Sequence, residues 1–321
     1  MKNFQHYIDL GTSFLFIGAS SDMAKVGMDR TILVLYWVGR FGFSSKIVFE
    51  YLMGLSREAV NKLMLRLVKQ GYLTEKKSFG SKDGAVYYLT AKGKRYAEFE
   101  TNLSINQSTD TSGHNSKNEI HDLSIQVCII DRLRCGSYNA FVTEKELREY
   151  GYGTFGANRK ERAVDGLLFN GKEFHAVEVE ASNSKNLKSG KSDVRADILK
   201  KYSHQLNAVD GLYTRVLLFS HRERFLRQID KKISILLESN EQNYSGEQIF
   251  TLKDEIKYVN SFCSTLFNLF WDPEYKHSDS HLVKVDKQEF QLMLQQHQDA
   301  PSASPDYIDG FRSAGELLKL L

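Results

Sequence analysis

Two apolar runs meet at Asn170-Gly171, and this dipeptide constrains the fold more than any other feature of the chain. Asn-Gly between alternating segments is the strongest short-range sign of a β-hairpin. A two-residue turn would pair Phe169 with Lys172 and set Asp165 opposite Ala176, diagonal to Glu178. A four-residue loop would place Asp165 directly opposite Glu178, and only an odd-length loop would put the two on different faces. Glu178 and Glu180 share a face in any register, because strand side chains alternate with period two. Three carboxylates on one sheet face repel each other unless water or a cation accompanies them. The competing reading packs Val177 and Val179 inward and leaves the acids in water, as half-exposed hairpins commonly do.

The rest of the chain bears on which reading holds. At 321 residues it has room for two domains, each able to bury a core. No apolar run approaches the ~18 residues of a membrane span, and Phe14-Leu15-Phe16-Ile17 is too short for one. Three cysteines (Cys128, Cys135, Cys263) with no CxxC pair fit a reducing cytoplasm and argue against a zinc site or a disulfide framework. No P-loop, serine-nucleophile elbow or His-x-His pair occurs. Charge is divided along the chain: residues 28–100 hold 13 Lys and Arg against 7 Asp and Glu, and residues 184–232 hold 12 against 5. Residues 233–321 reverse this, with 7 against 14. Two basic regions and an acidic tail suggest a polyanionic partner.

Residues 28–100 read as helix, helix, helix, two strands, helix. An apolar helix opens at Met28, a second follows around Ser44–Met53, and Ser56 caps a third with Ala59, Val60, Leu63 and Leu67 at helical spacing. Gly71 stands where a helix stop belongs. Strands at 72–77 and 86–89 flank Gly80–Gly84, and a helix starts after Thr90. This order and the QGYL…YYLTAKG phrase resemble the winged-helix DNA-binding domains of bacterial regulators. The resemblance implies that Arg57, Asn61, Lys62 and Arg66 face a major groove and that Lys76, Lys77 and Lys82 touch phosphate. Such a module can also serve protein contacts or dimerisation.

Residues 101–117 are polar and rich in Ser, Thr and Asn, a linker composition. Beyond them Asn118 opens an amphipathic helix with Ile120, Leu123, Val127 and Ile130 on its buried side. A strand near Tyr138–Val142 leads to Thr143, which with Glu146 forms a capping box. After the carboxylate hairpin come a basic helix at 193–207, a buried strand at Tyr213–Ser220 and a helix at Arg222–Leu237. Glu255–Trp271 reads as a further helix carrying Tyr258, Phe262, Phe267, Phe270 and Trp271. The expected class is therefore α+β, with a mixed α/β second domain.

His121-Asp122-Leu123, Thr143-Glu144-x-x-Leu147, Arg162-x-x-Asp165-Gly166, Glu178-Val179-Glu180-x-Ser182-x-x-Lys185 and Lys201-Tyr202 together resemble the PD-(D/E)xK nuclease superfamily. Within it the chain looks most like the MobC-type relaxases of mobilizable plasmids and the related replication-relaxation proteins, over roughly residues 28–236. The domains so implied are an amino-terminal extension (1–27), a winged helix (28–100), a linker (101–117), a restriction-endonuclease-like domain (118–272) and an acidic, partly flexible tail (273–321). The resemblance implies that Asp165 and Glu178 bind Mg²⁺ or Mn²⁺ with the Val179 carbonyl, and that Glu144 binds a second ion or a bridging water.

Two departures stand out. Val164 replaces the motif's proline, which leaves the carboxylate chemistry untouched. Glu180 replaces its lysine, so the catalytic cation would have to come from Lys185, Lys200 or Lys201; otherwise Glu180 is a further ligand, or catalysis is lost. His121 reads as an active-site neighbour, a helix cap or a surface residue, and Tyr202 as packing or as a nucleophile. The expected function is a cytoplasmic plasmid mobilization protein that binds origin DNA and nicks it with other relaxosome proteins. The alternative is a non-catalytic DNA-binding regulator or accessory factor.

Overall fold

The computed structural model describes residues 22–78, 83–102, 104–105, 118–149, 164–180, 202, 206, 211–220, 223–239 and 255–258. Helix α1 (Met23–Phe41) starts five residues before the predicted Met28, because Asp22 caps it by accepting from the Ala24 and Lys25 amides. It ends at Gly42, whose φ of 95° suits a residue without Cβ. Helix α2 (Lys46–Met53) takes its cap from a distance: the Ile47 amide donates to Asp83 Oδ2 at 2.8 Å. Helix α3 (Arg57–Lys69) starts at Ser56, whose hydroxyl accepts from the Ala59 amide. It buries Val60, Leu63, Met64 and Leu67, while the predicted Ala59 is only half-buried.

Strands β1 (Leu73–Lys77) and β2 (Ala85–Leu89) pair antiparallel, from Leu73 opposite Leu89 to Lys77 opposite Ala85. Ser44 adds a bridge to Tyr87. Helix α4 (Ala91–Thr101) is capped by Thr90 and packs on α1. Its Gly93 lies so close to the Tyr72 carbonyl that a Cβ there would sit 2.0 Å from that oxygen.

The later residues form one mixed sheet in the order β3-β4-β5-β6-β7. Strand β4 (Gly166–Phe169) pairs antiparallel with both β3 (Ala140–Thr143) and β5 (Phe174–Glu180); β6 (Arg215–Ser220) and β7 (Ile256–Tyr258) continue from β5 in parallel. Helix α5 (Glu119–Arg134) packs on β5, helix α6 (Glu144–Glu149) follows β3 directly, and helix α7 (Glu223–Ser239) packs on β6. The predicted capping box is present: the Glu146 amide donates to Thr143 Oγ1 at 3.2 Å, and the Thr143 amide to Glu146 Oε2 at 2.9 Å. The chain is thus α+β, and no helix among the described residues is long and apolar enough to cross a membrane.

Three local expectations change. Asn170-Gly171 does not form a two-residue turn, since Phe169 pairs with Phe174 across a four-residue loop. Asn170 Oδ1 accepts from the Lys172 and Glu173 amides, both at 3.0 Å, and the Phe169 and Phe174 rings meet at 5.0 Å to close the ladder. Residues 256–258 extend the sheet instead of starting a helix. Ile and Tyr suit a pleated strand, and the outer edge of β6 otherwise has unpaired backbone groups. The remainder of the predicted aromatic helix lies outside the described residues.

Helix α5 also departs from its one-sided pattern. Every residue from Leu123 to Leu133 is buried, whereas Ile120 is only half-buried. One side meets β5 and the other meets α2. Polar residues on that second side have partners in the first eighty residues. Trp37 Nε1 and Ser44 Oγ donate to Gln126 Oε1 at 2.8 and 2.7 Å, and Gln126 Nε2 donates to the Phe43 carbonyl at 2.9 Å. Tyr51 donates to Asp131 at 2.8 Å. Arg40, wholly buried, forks onto Glu146 at 2.6 and 2.8 Å and donates to the Phe141 carbonyl at 2.6 Å. The apolar residues on both sides of this polar seam form one continuous cluster, from Leu33 to Ile233.

Candidate functional site

The β4–β5 register decides how the acids are arranged. Gly166 lies opposite Val177, so Asp165, one residue earlier, lies opposite Glu178 on the same face. This is the four-residue-loop arrangement. The acids are not solvated: Asp165 is 3 % exposed and Glu178 7 %. Strand β5 pairs on both edges, and α5 packs on it from the side of Gly166 and Val177, where Ile129 approaches Gly166. Asp165 Oδ2 accepts the Val179 amide at 2.7 Å, which locks the carboxylate against the strand. Glu180, at the end of β5, is half-buried on the same face.

The first turn of α5 brings His121 to this pair. Its Nε2 stands 3.5 Å from Asp165 Oδ2, and its Nδ1 lies 3.2 Å from Asp122 Oδ1. Burial works against the imidazolium, but the carboxylates of Asp122 and Asp165 outweigh it and push the pKa up to about 11. Tyr202 is fully buried nearby. Burial raises its hydroxyl well above the usual phenol range, and the charges of Glu178, Tyr213, Asp165 and Glu180 add to this. The same acids that surround Tyr202 therefore hold it neutral, which opposes a phenolate nucleophile at neutral pH.

The other predicted site residues lie elsewhere. Glu144 begins α6, where its carboxylate pairs with Arg148 at 2.6 Å. Lys185, Lys200, Lys201 and Lys82 lie outside the described residues. On α3, Arg57 is bound sideways to Glu50 at 2.9 Å and to Asp83 at 3.2 Å, both acids nearly inaccessible. Arg66 reaches back to Thr31 Oγ1 at 3.0 Å. Asn61 is half-buried and Lys62 exposed; on β1, Lys76 is half-buried and Lys77 exposed. Glu50 and Asp83 did not stand out in the sequence, although an acid just before the predicted β2 was a visible signal.

Two buried carboxylates face each other here, with the His121 imidazolium beside one of them. That donor set suits Mg²⁺ or Mn²⁺, which need only one or two protein carboxylates and take their other ligands from water or phosphate. Among the described residues, no three of His, Cys, Asp and Glu are spaced to hold one ion together. Of the predicted metal ligands, Asp165 and Glu178 face each other across the hairpin, whereas Glu144 is paired with Arg148 at the start of α6. No protein-family model, curated protein or solved structure matches this chain.

Proposed function

We propose that the chain is a plasmid mobilization protein of the MobC-type relaxase kind. In this reading α1–α4 with the β1–β2 hairpin form a winged helix that binds double-stranded origin DNA. The β3–β7 sheet is a PD-(D/E)xK nuclease-like domain that nicks or processes one strand in the cytoplasm, with other relaxosome proteins as partners. The observation that supports it is the burial of Asp165 opposite Glu178: two carboxylates are desolvated together only with a shared proton or a compensating cation, of which the His121 imidazolium is one and a bound divalent ion would be another.

Asp165 and Glu178 would hold a divalent ion, and the Val179 amide fixes the Asp165 carboxylate in its orientation. When bound, such an ion supplies an activated water and neutralises charge developing on the phosphodiester. His121 would orient Asp165 from α5 and bring the nearest positive charge among the described residues. Tyr202, held neutral by burial and by the nearby acids, would not be the attacking group.

A second reading, sequence-specific binding without cleavage, is favoured by one feature: Glu180 stands where the superfamily's lysine is expected. Incubating supercoiled plasmid carrying the cognate origin with protein and Mg²⁺, Mn²⁺ or EDTA separates the two. Metal-dependent nicking that Asp165→Ala abolishes while binding persists is the expected result. Binding without nicking under every metal condition would leave the non-catalytic reading.

A further inference from the structure

We propose that Leu65 reads thymine methyl groups in the major groove of duplex DNA, an inference that rests on the winged-helix reading of α1–α4. Val60, Leu63, Met64 and Leu67 set the inward direction of α3. At 100° per residue, the ridge opposite them consists of Glu58, Lys62, Leu65 and Lys69, all exposed. Leu65 is 67 % exposed at the middle of that ridge, with a lysine three residues before it and another four residues after.

The two arginines predicted to read bases instead hold this ridge in place. Arg57 is fixed on one flank by Glu50 and Asp83, and Arg66 on the other flank by Thr31 and the Gly27 carbonyl. These bonds hold the rotation of the helix, with Leu65 on its outward ridge.

A lone exposed leucine is ordinary surface; its neighbours make this one informative. Lysines are depleted at the centres of protein interfaces, yet Lys62 and Lys69 bracket Leu65, and Lys77 lies exposed on the adjoining hairpin. That charge complements phosphate on both sides of a groove. Leu65 has no donor or acceptor with which to read a base edge. The apolar feature of the major groove is the thymine C5-methyl, so contact with it is the discrimination a leucine can make there.

The test uses the full-length protein and a duplex library with a randomised core. Each thymine of the enriched sequences is then replaced in turn by deoxyuridine, which removes only the methyl group. At one or two positions the replacement should weaken wild-type binding about four-fold, as expected for one buried methyl-sized group. Leu65→Ala should lose about as much on the thymine duplex and be insensitive to the replacement.

The inference fails if no replacement affects the wild type, if Leu65→Ala still senses the methyl, or if sedimentation shows Leu65→Ala abolishing self-association while DNA binding is unchanged. Enrichment without methyl sensitivity would remove the role of Leu65 alone. A library that yields no enriched sequence, with Lys62→Ala leaving the salt dependence of binding unchanged, would remove the winged-helix reading as well.

Discussion

Replacing Arg40 with methionine should destabilise the protein by about 4 kcal/mol, and the cost can be worked out contact by contact. Arg40 supplies Glu146 with two hydrogen bonds, at 2.6 and 2.8 Å, in a site that water barely reaches. Leaving one partner of a buried ion pair alone costs about 3–5 kcal/mol. The Phe141 carbonyl loses its donor at 2.6 Å, about 1–3 kcal/mol more. The methionine chain recovers roughly 1–2 kcal/mol by filling apolar space over the Phe141 ring, where the guanidinium carbon now stands 3.8 Å from the centroid. The net corresponds to roughly three powers of ten in the folding equilibrium.

Trp37 sits in the same seam, hydrogen-bonded to Gln126, so its fluorescence reports the seam directly in a urea titration of a Trp271→Phe background. Far-ultraviolet circular dichroism reports the helices and sheet. Wild type should unfold in one transition seen identically by both probes. Arg40→Met should move the midpoint down. Arg40→Met combined with Glu146→Gln should lose less than the sum of the single changes, since no charge is then stranded. A loss below about 1 kcal/mol for Arg40→Met would refute the reasoning, which rests on the buried-pair cost. A wild-type Trp37 transition separate from the dichroism transition would refute the seam as a cooperative link.

Gly93→Ala should be destabilising even though alanine favours a helix by about 1 kcal/mol over glycine. The added Cβ would lie 2.0 Å from the Tyr72 carbonyl oxygen, a backbone atom in the β1 approach, so a melting temperature at or above wild type would contradict the packing described. In the metal-free protein, the His121 ring signals should not titrate near 6.5 but toward 11, and millimolar Mg²⁺ should lower that titration by competing for Asp165. A raised folded-state pKa means that the imidazolium's stabilisation is complete below about 6.5 and fades as pH rises toward 11. The stability advantage of wild type over His121→Asn should therefore shrink across that window, and an ordinary titration near 6.5 would refute it.

Features decided by neighbours in the chain were legible before any coordinates. Ser56, Thr90 and the Thr143–Glu146 box each act within three residues, so helix starts could be read directly. Both even loop lengths put Asp165 and Glu178 on one face, and the four-residue loop is the one that forms. What escaped was decided at long range. Gln126 and Asp131 look like the polar side of α5, yet their partners are Trp37, Ser44 and Tyr51, eighty or more residues away. Sequence shows the charge of Arg57 and Arg66 but not the acids and the hydroxyl that they bond within the protein. Ile256–Tyr258 sits among aromatics at helical spacing, and only the vacant edge of β6 makes it a strand.

Helix α5 carries a geometrical consequence for the proposed activity. Its first turn touches both functional regions: Glu119, buried, accepts a hydrogen bond from Ser78 at the end of β1, and His121 two residues later stands against Asp165. Farther along, Gln126 and Asp131 tie the same helix to α1 and α2. The hairpin, the helix pair behind α3 and the carboxylate pocket are therefore referenced to a single rigid element. Had residues 101–117 alone joined two independent bodies, the pocket could swing to meet a straight duplex bound on α3. Here the buried Arg40–Glu146 pair and the amide contacts of Gln126 oppose such a swing. If a straight duplex on the α3 ridge does not pass Asp165 and Glu178, a strand would have to be delivered to them by bending or opening the DNA. The energetic cost of that deformation depends on base sequence, so it would select among sites at positions no side chain touches.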